Sequence, residues 1–111
     1  MGGKKSLIQY DRLHDEELAA LAQSGEAAAE ELLLERYKPI VKSRAHLYFI
    51  VGADAEDVIQ EGMIGIFKAI RSYREDRDAS FRTFAGVCIN RQIITAIKAA
   101  SRKKHQPLNS S

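Results

Sequence analysis

The chain has 111 residues, of which 45% are hydrophobic and 29% charged, and this composition is typical of one folded domain rather than a disordered segment. The single cysteine, Cys88, excludes an internal disulfide and a cysteine-pair metal site. No stretch approaches the ~20 apolar residues of a membrane span. A lone thiol suits a reducing compartment, so we expect a cytoplasmic protein. We also expect no bound metal or cofactor.

Charge is distributed unevenly along the chain. Residues 79–111 contain six lysines and arginines and no acidic residue, whereas all 15 acidic residues lie before position 79. A surface that attracts a polyanion would produce this asymmetry, and so would a helix end that is merely basic. Charge alone does not separate the two interpretations.

The first half of the chain predicts two helices separated by a short turn. The first follows an acidic segment and ends at Gly25. The second extends from Glu26 to about Ile50, with Arg44 interrupting its apolar series. We expect Pro39 to kink or divide this helix, because proline removes a backbone donor and clashes with the preceding turn.

The second half predicts two more helices. A third helix, with Asp54 as its N-cap, runs to about Tyr73. A fourth, capped by Asp78 or Ser80, ends before Pro107.

No alternating strand pattern is present, so the predicted fold class is all-α, a compact bundle of about four helices. We divide the chain into a flexible N-terminal tail at 1–12, a helical domain at 13–105 and the start of a linker at 106–111.

The third helix has one apolar face. Its predicted core residues recur at steps of four and three: Ile59, Met63, Ile66, Ile70 and Tyr73. Small residues flank this stripe and would let a neighbouring helix approach closely: Gly62, Gly65 and Ala69.

The opposite face of the third helix is mixed. It carries polar residues around one isoleucine: Asp57, Gln60, Glu61, Ile64, Lys68 and Arg71. An ordinary solvated face explains the charges, whereas a small apolar centre ringed by polar groups is typical of a protein docking site. Both interpretations stay open on periodicity alone.

The fourth helix also has two faces. The predicted core face contains Phe81, Ala85, Cys88, Ile89, Ala96 and Ala100, with Gln92 among them. The opposite face mixes hydroxyl, amide, apolar and basic groups: Thr83, Val87, Asn90, Ile94 and Lys98, flanked by Phe84, Arg91 and Arg102. Cations bind phosphates, and amides and aromatic rings contact bases, so this mixture suits nucleic acid. A solubilising basic face is the alternative, and the absence of acidic residues after position 78 favours nucleic acid.

No arrangement typical of an enzyme is present in the sequence. The three histidines have no cysteine or carboxylate at ligand spacing. Cys88 lies on the predicted core face, which favours packing over nucleophilic chemistry. Asp57 and Glu61, one helical turn apart, would need a pocket to act as an acid–base pair, and nothing indicates one. We therefore expect a protein that is not an enzyme.

Three segments occur in the order found in region 2 of bacterial sigma-70-family sigma factors, which this chain strongly resembles. They are DVIQEGMIGIFKAI at 57–70, FRTFA at 81–85 and INRQIITAI at 89–97. The resemblance covers roughly residues 15–110. Within the family the sequence is most similar to the sigma-H group of stationary-phase and sporulation factors.

This resemblance implies a role in transcription initiation, in the bacterial cytoplasm at the nucleoid. In this family the outward face of the third helix binds the clamp coiled coil of the β′ subunit of core RNA polymerase. The corresponding positions here are Asp57, Gln60, Glu61, Ile64 and Lys68.

The resemblance further implies that the fourth helix recognises and helps melt the promoter −10 element on its non-template strand. The positions expected at the DNA are Phe81, Arg82, Phe84, Val87, Arg91, Ile94, Lys98 and Arg102. The two phenylalanines would lie near unstacked bases, and Arg91 and Ile94 at the upstream duplex edge. Lys98 and Arg102 would bind phosphates.

The sequence departs from the family pattern in two ways. Primary sigma factors carry a tryptophan pair where this chain has Val87 and Cys88, which implies weaker autonomous melting. A helix-turn-helix domain that reads the −35 element is absent, which implies a domain taken from a longer protein. The sequence does not specify an anti-sigma partner, and a helical protein–protein adaptor is the alternative function.

Overall fold

The structure, a computed structural model, describes the backbone of residues 10–48, 54–77 and 79–110, and the side chains of these ranges as far as residue 100. These ranges contain four helices and no strand: α1 (Asp15–Gln23), α2 (Ala27–Tyr48), α3 (Ala55–Ser72) and α4 (Phe81–Ser110). The predicted all-α fold is confirmed. None of the described helices has both the length and the hydropathy needed to cross a bilayer. Most of the predicted tail at 1–12 lies outside the described residues.

Three helix boundaries are formed by the residues that the sequence predicted. Gly25 follows α1 with a φ of 107°, in the left-handed region that glycine adopts without strain. Asp54 caps α3, because its Oδ1 accepts the Glu56 N–H at 2.9 Å. Ser80 caps α4, because its Oγ accepts the Thr83 N–H at 3.2 Å. The alternative cap, Asp78, lies outside the described residues.

Neither proline divides or ends its helix, so the division expected at Pro39 and the end expected before Pro107 are both wrong. Pro39 lies exposed within a continuous α2, whose residues Tyr37 and Val41 on either side are buried in the same core. Packing on both sides of the proline therefore holds the helix together. Pro107 lies within α4, which continues to Ser110. Proline removes one hydrogen bond, but its fixed φ is itself helical.

The core is aliphatic around one aromatic cluster. Its largest completely buried side chains are Leu18, Leu33, Val41, Ile66, Ile70, Phe81, Ile89 and Ile93. The Phe81 ring meets Tyr37 and Tyr73 edge to face, with ring centroids 5.5 and 5.3 Å apart. Ile93 was absent from the predicted core face of α4. Ala100 was predicted on the core face, but it is exposed together with Lys98 and Ala99, so this prediction is wrong.

The buried face of α3 is centred on small residues rather than on the predicted large ones. Val58, Gly62, Gly65 and Ala69 are buried beside Ile66, Ile70 and Tyr73, whereas Ile59 and Met63 are only half-buried. The predicted close approach of neighbouring helices is confirmed. A Cβ atom on Gly65 would lie 2.9 Å from the Cys88 carbonyl oxygen of α4, and one on Gly62 would lie 2.5 Å from Val41 Cγ1 of α2.

Candidate functional site

The outward face of α3 mixes acidic, amide and basic groups around an apolar centre. Asp57 and Gln60 are exposed, and Ile64 is 41% exposed. Phe67 is 44% exposed beside Ile64 and was missed in the sequence, although it lies three positions further along the same helix. We call Asp57, Gln60, Ile64 and Phe67 the α3 surface.

Glu61 and Lys68 are engaged with α4 rather than available on the α3 surface. Gln92 Nε2 donates to Glu61 Oε1 at 2.9 Å, and Lys68 Nζ donates to Gln92 Oε1 at 3.0 Å. One amide on α4 thus bridges an anion and a cation two turns apart on α3. Glu61 is half-buried by this arrangement, whereas Lys68 remains exposed.

An ion pair holds the ring at the edge of the α3 surface. The Arg71 guanidinium lies over the Phe67 ring, 5.0 Å from its centroid. Its Nε lies 3.2 Å from Glu30 Oε2 of α2. The Phe67 side chain is therefore fixed by a contact that depends on two other helical residues.

The exposed stripe of α4 mixes basic and apolar groups. Val87 is 47% and Ile94 40% exposed, and Arg91 and Lys98 are exposed beside them. We call these four residues the α4 surface. Arg82 is exposed in the first turn of the helix. Arg102 lies beyond the described side chains.

The two predicted aromatic DNA contacts have different surroundings. Phe81 is completely buried between Tyr37 and Tyr73, so neither face of its ring is available to a base in this structure. Its predicted DNA contact does not fit this burial, because the core face of α4 begins at this residue. Phe84 is half-buried, and its ring centroid lies 5.7 Å from that of Tyr73.

The start of α4 is held by residues from distant parts of the chain. Glu16 Oε2 of α1 accepts the Phe81 N–H at 2.8 Å. Gln23 Nε2 donates to the carbonyl oxygens of Ile70 and Tyr73 at the end of α3, at 2.8 and 2.9 Å. The Tyr73 hydroxyl donates to the Ala79 carbonyl oxygen at 2.8 Å. Both ends of the loop before α4 are therefore anchored.

A polar cluster lies beneath this junction. Asp15 accepts hydrogen bonds from Arg36 Nη1 and from the Tyr37 hydroxyl. Burial and the hydrogen bond to Asp15 raise the pKa of Tyr37 above its ordinary value.

Among the residues described by the structure, no three histidine, cysteine, aspartate or glutamate side chains form a group that could hold a metal ion.

Arg44, which interrupts the apolar series of α2, reaches α4. Its Nη1 donates to Asn90 Oδ1 at 2.7 Å and to the Gly86 carbonyl oxygen at 3.4 Å. Periodicity marked this arginine as an exception but gave no indication of what it contacts.

Comparison with known proteins identifies relatives over most of the chain. Residues 33–103 match the family model described as Sigma-70 region 2. The RNA polymerase sigma-H factor of Bacillus subtilis is 48% identical over 108 residues, covering 97% of this chain and 50% of that protein. The RNA polymerase sigma-H factor of Bacillus licheniformis is 49% identical over 113 residues, covering 97% and 51%. The RNA polymerase sigma-28 factor of Bacillus thuringiensis subsp. kurstaki is 32% identical over 93 residues, covering 79% and 39%.

These matches confirm the resemblance found in the sequence. The chain spans about half the length of the two sigma-H factors that it matches. The family match includes most of α2, all of α3 and most of α4, so it contains both the α3 surface and the α4 surface. The chain belongs to the sigma-70 family of sigma factors, of which it contains region 2.

Proposed function

We propose that this chain is the part of a sigma factor that docks on core RNA polymerase and recognises the promoter −10 element. The observation that carries the proposal is the pair of chemically different surfaces on two packed helices. The α3 surface has an apolar centre with one carboxylate and one amide beside it, whereas the α4 surface is basic with apolar residues. Relatives named RNA polymerase sigma factors support both partners. The role is one of non-covalent binding, in the bacterial cytoplasm at the nucleoid.

The α3 surface fits a protein partner. Ile64 and Phe67 offer a small apolar centre, and Asp57 and Gln60 place an anion and an amide at its edge. Desolvated apolar centres with polar rims are where protein partners gain most binding free energy. On the family resemblance, we assign this surface to the clamp coiled coil of the β′ subunit, with Glu61 and Lys68 at its margin.

The α4 surface fits DNA. Arg91 and Lys98 supply cations for phosphates, and Val87 and Ile94 supply apolar contacts for bases. No acidic residue follows position 78, so nothing along α4 repels the DNA backbone. Arg82 extends the basic character to the start of the helix, and Arg102 continues it beyond the described side chains.

Melting of the −10 element requires more than this domain. Extruding a base costs a few kcal/mol, whereas stacking on an aromatic ring returns ~1–3 kcal/mol. Among the described side chains of α4, only Phe84 offers a partly accessible aromatic ring, since Phe81 is buried and position 87 is a valine. We therefore expect opening to need the assembled polymerase, with this domain selecting the strand.

Binding to single-stranded −10 DNA tests the proposal. The chain is titrated against labelled non-template and template strands from a promoter of the sigma-H group. We expect preference for the non-template strand and affinity that falls as salt rises. Phe84→Ala reduces that strand preference, whereas Lys98→Ala weakens binding to both strands alike.

Two results would contradict the assignment. Equal loss of strand preference in both variants would show that Phe84 and Lys98 do not have separate roles. Absence of any salt-sensitive DNA binding by the folded chain would favour the adaptor function. Because Phe84 packs on Tyr73, the folding of that variant is checked by circular dichroism first.

A further inference from the structure

Three arginines in the described structure connect one helix to another element, and two of them are neutralised. Arg36 of α2 lies 2.9 Å from Asp15 of α1, and Arg71 of α3 lies 3.2 Å from Glu30 of α2. Each guanidinium thus meets a carboxylate. The Arg36 side chain is 28% exposed and the Arg71 side chain 52% exposed, so Arg36 is the closer comparison for a partly buried guanidinium.

Arg44, the third of these arginines, has no carboxylate partner among the described residues. It is half-buried between α2 and α4, and its polar contacts are the Asn90 side-chain oxygen and the Gly86 carbonyl oxygen, both uncharged. Both bonds use Nη1. No described carboxylate lies within ion-pair distance of this guanidinium. Its positive charge is therefore held in place but not balanced.

The Arg44 guanidinium lies at the edge of the α4 surface. Asn90, which accepts the Arg44 hydrogen bond, lies three residues from Val87 and four from Ile94. Residues at these spacings are neighbours on a helix. Arg44 therefore adds a cation from α2 beside the apolar pair of α4, where α4 itself has an asparagine.

We propose that Arg44 contacts a DNA phosphate and belongs to the DNA-binding surface, with Asn90 and Gly86 holding its guanidinium in position. This inference rests on the proposed function. A phosphate would supply the anion that the arginine lacks within the described structure, and guanidinium groups bind phosphates with directed hydrogen bonds. The surface is then built from two helices rather than one.

The slope of affinity against salt concentration tests the inference. Each phosphate neutralised by a protein cation contributes about 0.9 to the slope of log K against log salt on duplex DNA. The full chain and its variants are titrated against a labelled promoter duplex over a series of salt concentrations. We expect Arg44→Gln and Arg44→Met to lower the slope by about 0.9, and Arg44→Lys to retain it.

Lys42→Gln is the matched control. It removes the same charge from the same helix, but Lys42 lies on the exposed side of α2, two positions from Arg44 and about 200° around the helix. We expect the slope of this variant to equal that of the unaltered chain. The amide variant can still bond Asn90 and the methionine variant keeps the apolar stem, so one of the two is expected to remain folded.

The outcomes separate this inference from the proposed function. An unchanged slope in the folded Arg44 variants, with a lower free energy of unfolding, would show that Arg44 only braces α2 against α4 and would overturn the inference. Absence of salt-dependent DNA binding by the unaltered chain would instead contradict the proposed function. Loss of slope in both Lys42→Gln and Arg44→Gln would show a general charge effect and would also overturn the inference.

Discussion

Gly65 sets the distance between α3 and α4, the helices that carry the α3 surface and the α4 surface. An added Cβ would lie 2.9 Å from both the Cys88 carbonyl oxygen and the Ile89 Cα atom. Both are backbone atoms and cannot move without displacing α4. The relative position of the two surfaces therefore depends on the absence of one methyl group.

Gly65→Ala is expected to destabilise the fold by about 1–3 kcal/mol, the range for overpacking a tight contact. Helix propensity acts in the opposite direction, since alanine is favoured over glycine by ~1 kcal/mol. Denaturant unfolding followed by circular dichroism measures the difference.

Gly86→Ala is the matched control for this prediction. Its added Cβ would lie 3.2 Å from Arg44 Nη2, the end of a flexible side chain that can shift. We expect little change or a small gain in stability. If Gly65→Ala were equally neutral, α4 would not be packed against α3 as closely as the structure indicates.

Residue-level reasoning from the sequence predicted the small positions on α3 but not what they contact. Gly62 and Gly65 were correctly predicted to allow close packing, since glycine within a helix is unfavourable without such a reason. The bridge from Gln92 to Glu61 and Lys68 was not predicted. Periodicity assigns a side chain to a face, whereas this bridge depends on the register between two helices.

At the scale of elements, the start of α4 has a second capping acceptor, from α1, in addition to Ser80. Glu16 accepts the Phe81 N–H from a position 65 residues earlier in the chain. A carboxylate at a helix N-terminus satisfies a free donor and interacts favourably with the helix dipole. The orientation of α4 therefore depends on a residue that is remote in sequence.

Glu16→Ala is expected to lower the free energy of unfolding by about 1 kcal/mol, in the range of lost N-caps. It should also speed hydrogen exchange at the Phe81 amide, because that donor loses its acceptor. Glu31→Ala, which removes an exposed carboxylate from α2, serves as the control. Unchanged exchange at Phe81 in the Glu16 variant would contradict the assigned cap.

Element boundaries could be predicted where local chemistry determines them. Gly25, Asp54 and Ser80 were read correctly because caps act within a few residues. The division expected at Pro39 does not occur, because the packing of Tyr37 and Val41 on either side outweighs the lost hydrogen bond. The core face of α3 is shifted by part of a turn from the predicted one, because Gly62 and Gly65 pack closely against α2 and α4 while Ile59 and Met63 are only half-buried.

At the scale of the whole molecule, one buried phenol links stability to pH. Tyr37 lies in the core between α1 and α4, and both burial and its hydrogen bond to Asp15 raise its pKa above the ordinary value of 10.0. The folded state therefore holds the phenolic proton more tightly than the unfolded state. Its contribution to stability is complete below pH 10 and is lost as the pH rises above that value.

We expect the free energy of unfolding to fall as the pH rises above about 10, and Tyr37→Phe to reduce this slope. Urea unfolding at several pH values measures both. Tyr10, whose pKa is raised by its hydrogen bond to Glu26, accounts for part of the slope that remains. An identical slope in Tyr37→Phe would show that the Tyr37 proton is not bound more tightly in the folded state.

The two surfaces could be predicted from the sequence to different degrees. The exposed sides of α3 and α4 follow from helical periodicity, and the family resemblance supplied the expected partners. Phe81 was assigned both to the core and to DNA, and burial resolves this conflict in favour of the core. Phe67 was missed beside Ile64, and Arg44 was missed because its neighbours lie on another helix.

Titration of the chain against a β′ clamp coiled-coil fragment tests the central claim most directly. The variants are Asp57→Ala/Gln60→Ala, which alters only exposed residues of the α3 surface, and Arg91→Ala/Lys98→Ala on the α4 surface. We expect the unaltered chain to bind with a Kd of about micromolar or tighter, about −8 kcal/mol. The α3 variant should weaken binding at least about tenfold, or ~1.4 kcal/mol, while the α4 variant binds normally. No binding by the folded chain, or equal loss in both variants, would contradict the separate roles of the two surfaces.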